Sequence, residues 1–123
     1  MKKKNKKVNA AILIIGNEIL SGRTQDKNTA FISSWLNSKC GITVKEVRII
    51  PDDEKTIIEN IKILSKNFNY VFTTGGIGPT HDDITAESIS KAFKVKYEYH
   101  KEAFFILEKY YEKTKFNDGR KKM

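Results

Sequence analysis

The feature that most limits how this chain can fold is a run of apolar residues near its N-terminus, at residues 8–15. Ala10 to Ile15 are all apolar, and the run has the length of one strand, which is too short to span a bilayer. A strand without polar alternation is typical of a parallel sheet, in which helices bury both faces. The run therefore predicts a strand that is buried on both sides.

Strands and helices are predicted in alternation along the rest of the chain. Further strands are predicted at residues 42–50 and Tyr70–Thr74, where β-branched and aromatic residues are frequent. The spacing of apolar residues predicts helices at residues 26–40, 52–68, 86–94 and 101–113. The apolar side chains that give this spacing are Ala30, Phe31, Trp35, Leu36, Ile57, Ile58, Ile61, Leu64, Phe68, Ile89, Ala92, Phe93, Phe104, Phe105, Leu107 and Tyr111. The alternation predicts an α/β fold with a parallel sheet covered by helices on both faces.

The size and composition of the chain are those of one ordinary globular domain. It has 123 residues, of which 39% are hydrophobic and 31% charged. Cys40 is the only cysteine, so no intrachain disulfide is possible and a reducing cytoplasm is the expected compartment. No segment is predicted to associate with a membrane.

The net charge of +8 lies mainly at the two ends of the chain. Residues 1–7 carry five lysines and no acid, and residues 113–123 carry five basic residues and one acid. The part between these ends is within one charge of neutrality. We therefore interpret residues 1–7 as a basic tail, residues 8–123 as the domain, and specific nucleic-acid binding as improbable.

The sequence Gly-Gly-Ile-Gly-Pro-Thr-His-Asp-Asp-Ile-Thr at residues 75–85 joins the third predicted strand to a helix expected to begin near Thr85. Glycine at Gly75, Gly76 and Gly78 permits positive φ and lets an anion approach the backbone N–H groups. The helix N-terminus adds N–H groups and the positive end of its dipole. We call residues 75–85 the glycine loop and predict that it binds a phosphate.

Two acidic residues follow the glycines, at Asp82 and Asp83, and they suit an anion site only if they hold a metal that bridges to the anion. The simpler interpretation is that the glycines only end a strand and that Asp83 or Thr85 caps the helix. Two other phosphate-binding loops are excluded by spacing. A dinucleotide fingerprint requires glycine at His81, and a Walker A loop requires Gly-Lys-Ser or Gly-Lys-Thr.

Two more loops are expected at the same edge of the sheet, because the carboxyl ends of parallel strands lie together. The first, residues 16–22, offers Glu18 and Ser21 as groups that could bind a phosphate or a heterocycle, and the alternative is that Glu18 is solvated and Ser21 starts a turn. The second, residues 51–53, offers Asp52, which is equally suited to cap the following helix. If Asp52 and Asp83 converge, they form a paired carboxylate site that can hold Mg²⁺ or another divalent ion.

Four segments together resemble the MoaB/Mog molybdopterin-binding domain. They are Gly-Asn-Glu-Ile-Leu-Ser-Gly at 16–22, the pair Asp26 and Asn28, Pro-Asp-Asp at 51–53, and the glycine loop. The resemblance covers nearly the whole chain after the basic tail. It is closest to the competence/damage-inducible protein A (CinA) branch and to the similar N-terminal domain of eukaryotic FAD synthase.

The resemblance implies a three-layer α/β/α sandwich with a mostly parallel sheet, usually assembled as a homo-trimer. It implies that molybdopterin or an adenine nucleotide binds at the strand ends. The expected ligand-binding residues are Gly16, Glu18, Ser21, Gly75, Gly76, Gly78, Pro79 and Thr80, and the expected metal ligands are Asp52, Asp82 and Asp83.

Two reaction classes are implied by two branches of the family. In the Mog branch, the aspartates that match Asp52 and Asp83 are catalytic in Mg-ATP-dependent adenylylation of molybdopterin. In the CinA and FAD synthase branch, the similar domain is linked to metal-dependent hydrolysis of the pyrophosphate bond of ADP-ribose or FAD. Ile77 and Asp82 depart from the Mog pattern and favour the CinA-like branch.

The end of the chain also departs from the family pattern. The family's domain usually continues to a further strand and a proline-glycine turn, so the resemblance implies a domain shortened at its C-terminus.

The sequence leaves three functions open. They are a pterin- or nucleotide-binding domain with Mg-dependent nucleotidyl chemistry, a nucleotide pyrophosphatase, and a non-catalytic binding module.

Overall fold

The structure, a computed structural model, describes residues 7–111 and 115–123. The chain begins with strand β1 and a short helix α1 and then continues through alternating helices and strands. The strands are β1 (Asn9–Ile15), β2 (Thr43–Ile50) and β3 (Tyr70–Thr74). The helices are α1 (Asn17–Leu20), α2 (Asn28–Trp35), α3 (Glu54–Asn67), α4 (Thr85–Phe93), α5 (Lys101–Tyr110) and α6 (Asp118–Lys122), and a π-helical turn (Leu36–Cys40) extends α2.

The three strands form a parallel sheet in the order β2-β1-β3. β1 is central, and its pairing with β2 shifts by one residue between Ala10 and Ala11. The connection through α2 leads from the centre to one edge, whereas the connection through α3 crosses back to the other edge. Because such crossovers are right-handed, α2 and α3 cover opposite faces of the sheet. The predicted parallel sheet with helices on both faces is confirmed.

The main core lies between the sheet and helices α3 and α4. Ala11, Leu13 and Ile15 of β1 point to this side and are almost completely buried. They pack with Ile50 of β2 and with the buried residues of the two helices, which are Ile57, Ile61 and Leu64 of α3 and Ala92 of α4. Helix α3 therefore contributes the apolar face that its sequence spacing predicted.

The predicted strands and helices are present in the structure, and their ends lie within a few residues of the predicted ends. Tyr70–Thr74 is a strand with the predicted bounds. Helix α3 begins at Glu54 because Asp53 is its N-cap and accepts a hydrogen bond from the backbone N–H of Thr56 at 2.9 Å. Asp52 is consequently not used as the cap of this helix.

Some side chains predicted on apolar helix faces are instead exposed. Phe31 and Trp35 of α2 are 70% and 50% exposed, and Phe93 at the end of α4 is 48% exposed, so the prediction that Phe93 points inward was wrong. Phe105 and Leu107 of α5 are also exposed. Periodicity alone places these residues on one face of a helix, but α2 and α5 pack against less of the protein than α3 does.

The C-terminal segment contains structure that the sequence did not predict. Helix α6 follows Phe116, which is 5% exposed and packs against the Phe104 ring with centroids 5.1 Å apart. The short helix α1 was likewise expected to be a loop. Residues 1–6 of the predicted tail, and residue 113 at the predicted end of α5, lie outside the described residues. None of the helices within residues 7–111 and 115–123 combines the length and apolar composition needed to cross a bilayer.

Two neighbouring residues of α3 are expected to differ in how much stability is lost when their side chains are shortened. Leu64 is fully buried, whereas Ile63 is 45% exposed. We expect Leu64→Ala to lower the free energy of unfolding by about 2–5 kcal/mol, because it removes buried contacts and leaves a cavity. The matched variant Ile63→Ala is expected to cost less than about 1 kcal/mol. Urea unfolding followed by circular dichroism measures both, and equal losses would contradict the assigned core.

Candidate ligand site at the carboxyl edge of the sheet

The three loops that leave the carboxyl ends of the strands lie side by side, as the parallel order requires. The backbone N–H of Gly16, after β1, donates to the carbonyl oxygen of Ile50 at the end of β2, at 3.0 Å. Gly75, after β3, lies directly against the carbonyl of Ile15, since a Cβ atom on Gly75 would be 2.0 Å from that oxygen. The ends of all three strands are therefore joined at one edge.

The glycine loop requires glycine at Gly75 and Gly76 for both conformation and space. Their φ angles are +89° and +67°, a region that L residues rarely adopt. A Cβ atom on Gly76 would be 2.1 Å from Oγ1 of Thr85. The Thr85 hydroxyl donates to the carbonyl of Gly75 at 2.9 Å, and its backbone N–H donates to that of Gly76 at 3.1 Å. The first residue of α4 thus holds the turn in place.

Gly78 is needed for a different reason from the one the sequence suggested. Its φ lies outside the positive region, so the expected positive φ was wrong at this position. A Cβ atom on Gly78 would instead be 2.7 Å from Oδ2 of Asp83. The Asp83 carboxylate thus lies against the backbone of the loop.

Asp83 binds back to the loop that precedes it. Its Oδ2 accepts hydrogen bonds from the hydroxyl and the backbone N–H of Thr80, at 2.8 and 3.0 Å. These bonds, first from the Thr80 hydroxyl and then from its backbone, lower the pKa of the Asp83 carboxyl below its ordinary value. The Gly78 backbone and the charge of Lys122 lower it further. Asp83 is therefore an ionised group that closes the loop.

Asp52 lies in a different environment, because it faces other acids. The backbone N–H of Asp52 donates to Oδ1 of Asn17 at 3.3 Å, which ties the second loop to the first. Burial raises the pKa of the Asp52 carboxyl, and a hydrogen bond from the Asn17 backbone opposes this effect. The negative charges of Glu18, Asp83 and Asp82 raise this pKa further. The Asp52 and Asp83 carboxylates thus lie near enough for their charges to interact, and their pairing as a metal site stays a prediction.

These acids do not form a ready-made metal centre. Across residues 7–111 and 115–123, no three His, Cys, Asp or Glu side chains lie close enough together to hold a metal by themselves. The Asp82 side chain is 81% exposed, and its Oδ1 lies 3.4 Å from Nε2 of His81. A metal at this edge would therefore need ligand atoms besides those of three such side chains.

Other predicted site residues are engaged in local contacts. The Ser21 hydroxyl donates to the carbonyl of Glu18 at 3.3 Å and accepts from Nε of Arg23 at 3.2 Å. Pro79 is exposed and faces Gly119 of α6, where an added Cβ atom would be 3.2 Å from Cβ of Pro79. Ser21 thus fixes the first loop, whereas Pro79 marks where α6 meets the glycine loop.

Three residues that the sequence analysis did not select are part of this edge. Asn17 and Thr85 hold the loops through the hydrogen bonds described above, and both lie inside motifs that had been singled out. Lys122 is different, because its Nζ donates to the carbonyl of Thr80 across 42 positions of sequence. No local pattern in the sequence indicates that contact.

From the geometry of the glycine loop we expect that available space, as well as φ, determines how much stability is lost when a methyl group is added. We expect Gly75→Ala to lower the free energy of unfolding by more than about 2 kcal/mol, because its Cβ would overlap the Ile15 carbonyl. Gly22 is the matched control, since its φ is +80° and an added Cβ would have no heavy atom within 4 Å. Gly22→Ala should cost only about 1 kcal/mol. Chemical unfolding measures the difference, and equal costs would mean that the close approach is absent.

Asp83→Asn tests the role of this carboxylate in stability. Since its folded-state pKa is below the unfolded value of 3.8, the carboxylate stabilises the fold above that pH, and this effect disappears as pH falls through the folded pKa. We expect the variant to have a lower Tm than the parent at pH 7 and a difference that shrinks as pH falls below 3.8. Asp82→Asn, at an exposed neighbouring position, should leave Tm nearly unchanged. A pH-independent loss in Asp83→Asn would contradict the assigned hydrogen bonds.

The fold just described also occurs in proteins of known structure. A CinA protein of unknown function from Thermoplasma acidophilum superimposes with a TM-score of 0.77 and 32% identity, covering 86% of this chain and 63% of the other. A tungsten cofactor synthesizing protein, MoaB from Pyrococcus furiosus, superimposes with a TM-score of 0.62 and 27% identity, covering 72% and 54% of the two chains.

Relatives of known sequence and a family model extend the similarity. A probable FAD synthase of Caenorhabditis elegans is 43% identical over 84 residues, which are 68% of this chain and only 16% of the worm protein. The model of the probable molybdopterin binding domain matches residues 11–121. That match includes the three loops and nearly all of the sheet and of α6. The chain therefore belongs to the probable molybdopterin binding domain family.

Proposed function

We propose that this protein binds the phosphate or diphosphate group of a pterin or an adenine nucleotide on the glycine loop. The observation that carries the proposal is the way the loop is fixed. Gly75 and Gly76 have positive φ and are held by Thr85, and Asp83 closes the following turn through Thr80. A backbone that is already ordered loses little entropy when it binds an anion.

The start of α4 supports the same proposal. The residue that precedes this helix, Ile84, has no polar side chain, and no side-chain cap is formed there. The positive end of the helix dipole thus faces the loop without a protein carboxylate at the N-cap position. The backbone of Gly75 and Gly76 would line the phosphate site, because the N–H groups of Gly78 and Thr80 already donate to Asp83.

The residues present fit a divalent ion that the ligand itself helps to hold. Mg²⁺ commonly takes one or two carboxylates together with phosphate oxygens of the substrate. Asp52 fits this role, because its carboxyl is partly buried, faces other acids and is not used as a helix cap. Asp52 and Asp82 would hold the ion, which would supply positive charge to the phosphate. Asp83 would keep the loop closed.

A second candidate function is hydrolysis of a pyrophosphate bond in ADP-ribose or FAD. The observation that favours it is the group of acids near Asp52, whose negative charges raise the pKa of its carboxyl. The resemblance to CinA and to FAD synthase agrees with this reaction class. Adenylylation of molybdopterin and binding without turnover are the other outcomes to be tested.

Self-association is also proposed, as the family resemblance implies a trimer. Phe31 and Trp35 are largely exposed on α2, on the face of the sheet away from the main core. Large exposed apolar side chains are typical of contact surfaces. Their position does not obstruct the loops at the carboxyl edge.

Thermal shifts with and without Mg²⁺ test the proposed site. The panel is ADP-ribose, FAD, ATP, molybdopterin and inorganic pyrophosphate. A ligand at about a hundred times its Kd stabilises the native state by about 2.7 kcal/mol, which raises Tm by about 10 °C. We expect at least one ring-bearing ligand and pyrophosphate to give such shifts, with a larger shift when Mg²⁺ is present.

The variant Asp52→Asn tests the metal site separately from the phosphate site on the glycine loop. It should abolish the increment due to Mg²⁺ and leave the metal-independent shift in place. Asp53→Asn is the matched control, because Asp53 caps α3 and its loss should lower Tm without changing the ligand shifts. Release of AMP from ADP-ribose that needs both Mg²⁺ and Asp52 would support the pyrophosphatase. Shifts without any turnover would identify a binding module, and no shift with any ligand would contradict the proposed site.

A further inference from the structure

A large cavity lies beside the glycine loop, between helices α4, α5 and α6. Its volume is about 910 Å³, whereas two other cavities in the described part of the chain are near 290 and 280 Å³. Ligand pockets commonly measure about 300–1,000 Å³. Only the large cavity among these three has room for a heterocyclic ring together with an attached sugar. We call it the helical cavity.

The helical cavity adjoins the phosphate site. Ala86 and Glu87, in the first turn of α4, lie on its wall, and they directly follow Thr85, which holds Gly75 and Gly76. Lys122 of α6 also lies on the wall, while its Nζ donates to the Thr80 carbonyl of the glycine loop. A ligand that extends from the loop past Lys122 would therefore enter the cavity.

The wall opposite α4 is built from aromatic side chains. Tyr99 and Phe104 have ring centroids 4.9 Å apart, and the Phe104 ring is 5.1 Å from that of Phe116. Tyr97 lies on the same wall and is half exposed. Aromatic side chains of this kind stack on planar heterocycles, whatever the identity of the base.

The charged groups around the cavity nearly balance one another. Glu87 and Glu98 oppose Lys96, Lys121 and Lys122. Such a wall does not select a second anion. Its chemistry suits an uncharged ring with polar edges, and His100 adds a ring N–H donor, because its Nδ1 accepts from the backbone N–H of Ala103 and the neutral ring then carries its proton on Nε2.

We propose that the helical cavity binds the heterocyclic ring of the ligand whose phosphate lies on the glycine loop. This inference rests on the proposed phosphate site and assigns the other half of the ligand. Lys122 lies at the junction, where its ammonium group contacts the loop and offsets the charge of Asp83. The ligand class is a phosphate ester whose alcohol part carries a planar heterocycle. Helix α6 completes the site.

Filling the cavity tests this assignment in the full 123-residue chain. Ala103 lies on the cavity wall and is exposed, so Ala103→Trp can fill the cavity without disturbing the core. Ile106→Trp is the matched control, because Ile106 is 58% exposed on the same helix and does not line the cavity. Circular dichroism and Tm verify that both variants fold. Calorimetry then measures Kd for inorganic pyrophosphate and for ADP-ribose, FAD and molybdopterin.

The inference predicts different results for the two halves of the ligand. In the parent chain, at least one ring-bearing ligand should bind about tenfold more tightly than pyrophosphate, and Ala103→Trp should remove this advantage while leaving the pyrophosphate Kd unchanged. Ile106→Trp should retain the advantage. Lys122→Met should weaken both ligand types by about fivefold, since the junction is lost, whereas Lys101→Met should not.

Each remaining outcome overturns a defined part of the argument. Binding of pyrophosphate with no tighter binding of any ring-bearing ligand would overturn the helical cavity and leave the phosphate site in place. An unchanged advantage in Ala103→Trp would do the same. Failure of every ligand, pyrophosphate included, would overturn the proposed function and the ring site together.

Discussion

The close approach of Gly75 to the carbonyl of Ile15 is the constraint on which the functional edge depends. With no side chain at Gly75, the chain can turn away from β3 directly beside the end of β1. The hydrogen bond from Gly16 to Ile50 brings the end of β2 to the same place. Parallel order alone would put the three loops on one edge. These two contacts also bring the loops close enough for their backbone groups and carboxylates to interact.

Two neighbouring aspartates show how environment separates residues of the same type. Asp53 caps α3 and is thereby committed to the backbone of Thr56. Asp52 is displaced from the cap by one position, so its carboxyl remains available and faces Glu18, Asp82 and Asp83. From the sequence, Asp52 was equally suited to cap the helix. The structure decides between the two roles because only one residue of the pair can occupy the N-cap position.

The fold could be predicted from sequence where one interaction dominates. Burial on both faces determines β1, and a continuous apolar stripe with a cap determines α3, so both were predicted closely. The exposure of Phe31, Trp35 and Phe93 could not be predicted, because periodicity reports which side chains share a face and not how much protein covers it. The glycine loop and its acids were found from local spacing. Lys122 was not, since its contact with Thr80 depends on how α5 and α6 pack.

The charge around the loop limits what the site can bind. Four carboxylates interact at this edge, and burial together with their mutual repulsion raises the pKa of Asp52. A phosphate added to such an edge needs positive charge, which backbone N–H groups supply only in part. Lys122 provides one cation from the protein, and a divalent ion bound with the phosphate would provide another. If a phosphate and a divalent ion bind here as proposed, their affinities would be linked, because each would change the electrostatic cost of keeping Asp52 ionised. Lys122 of α6 would act through Asp83, whose pKa its charge lowers.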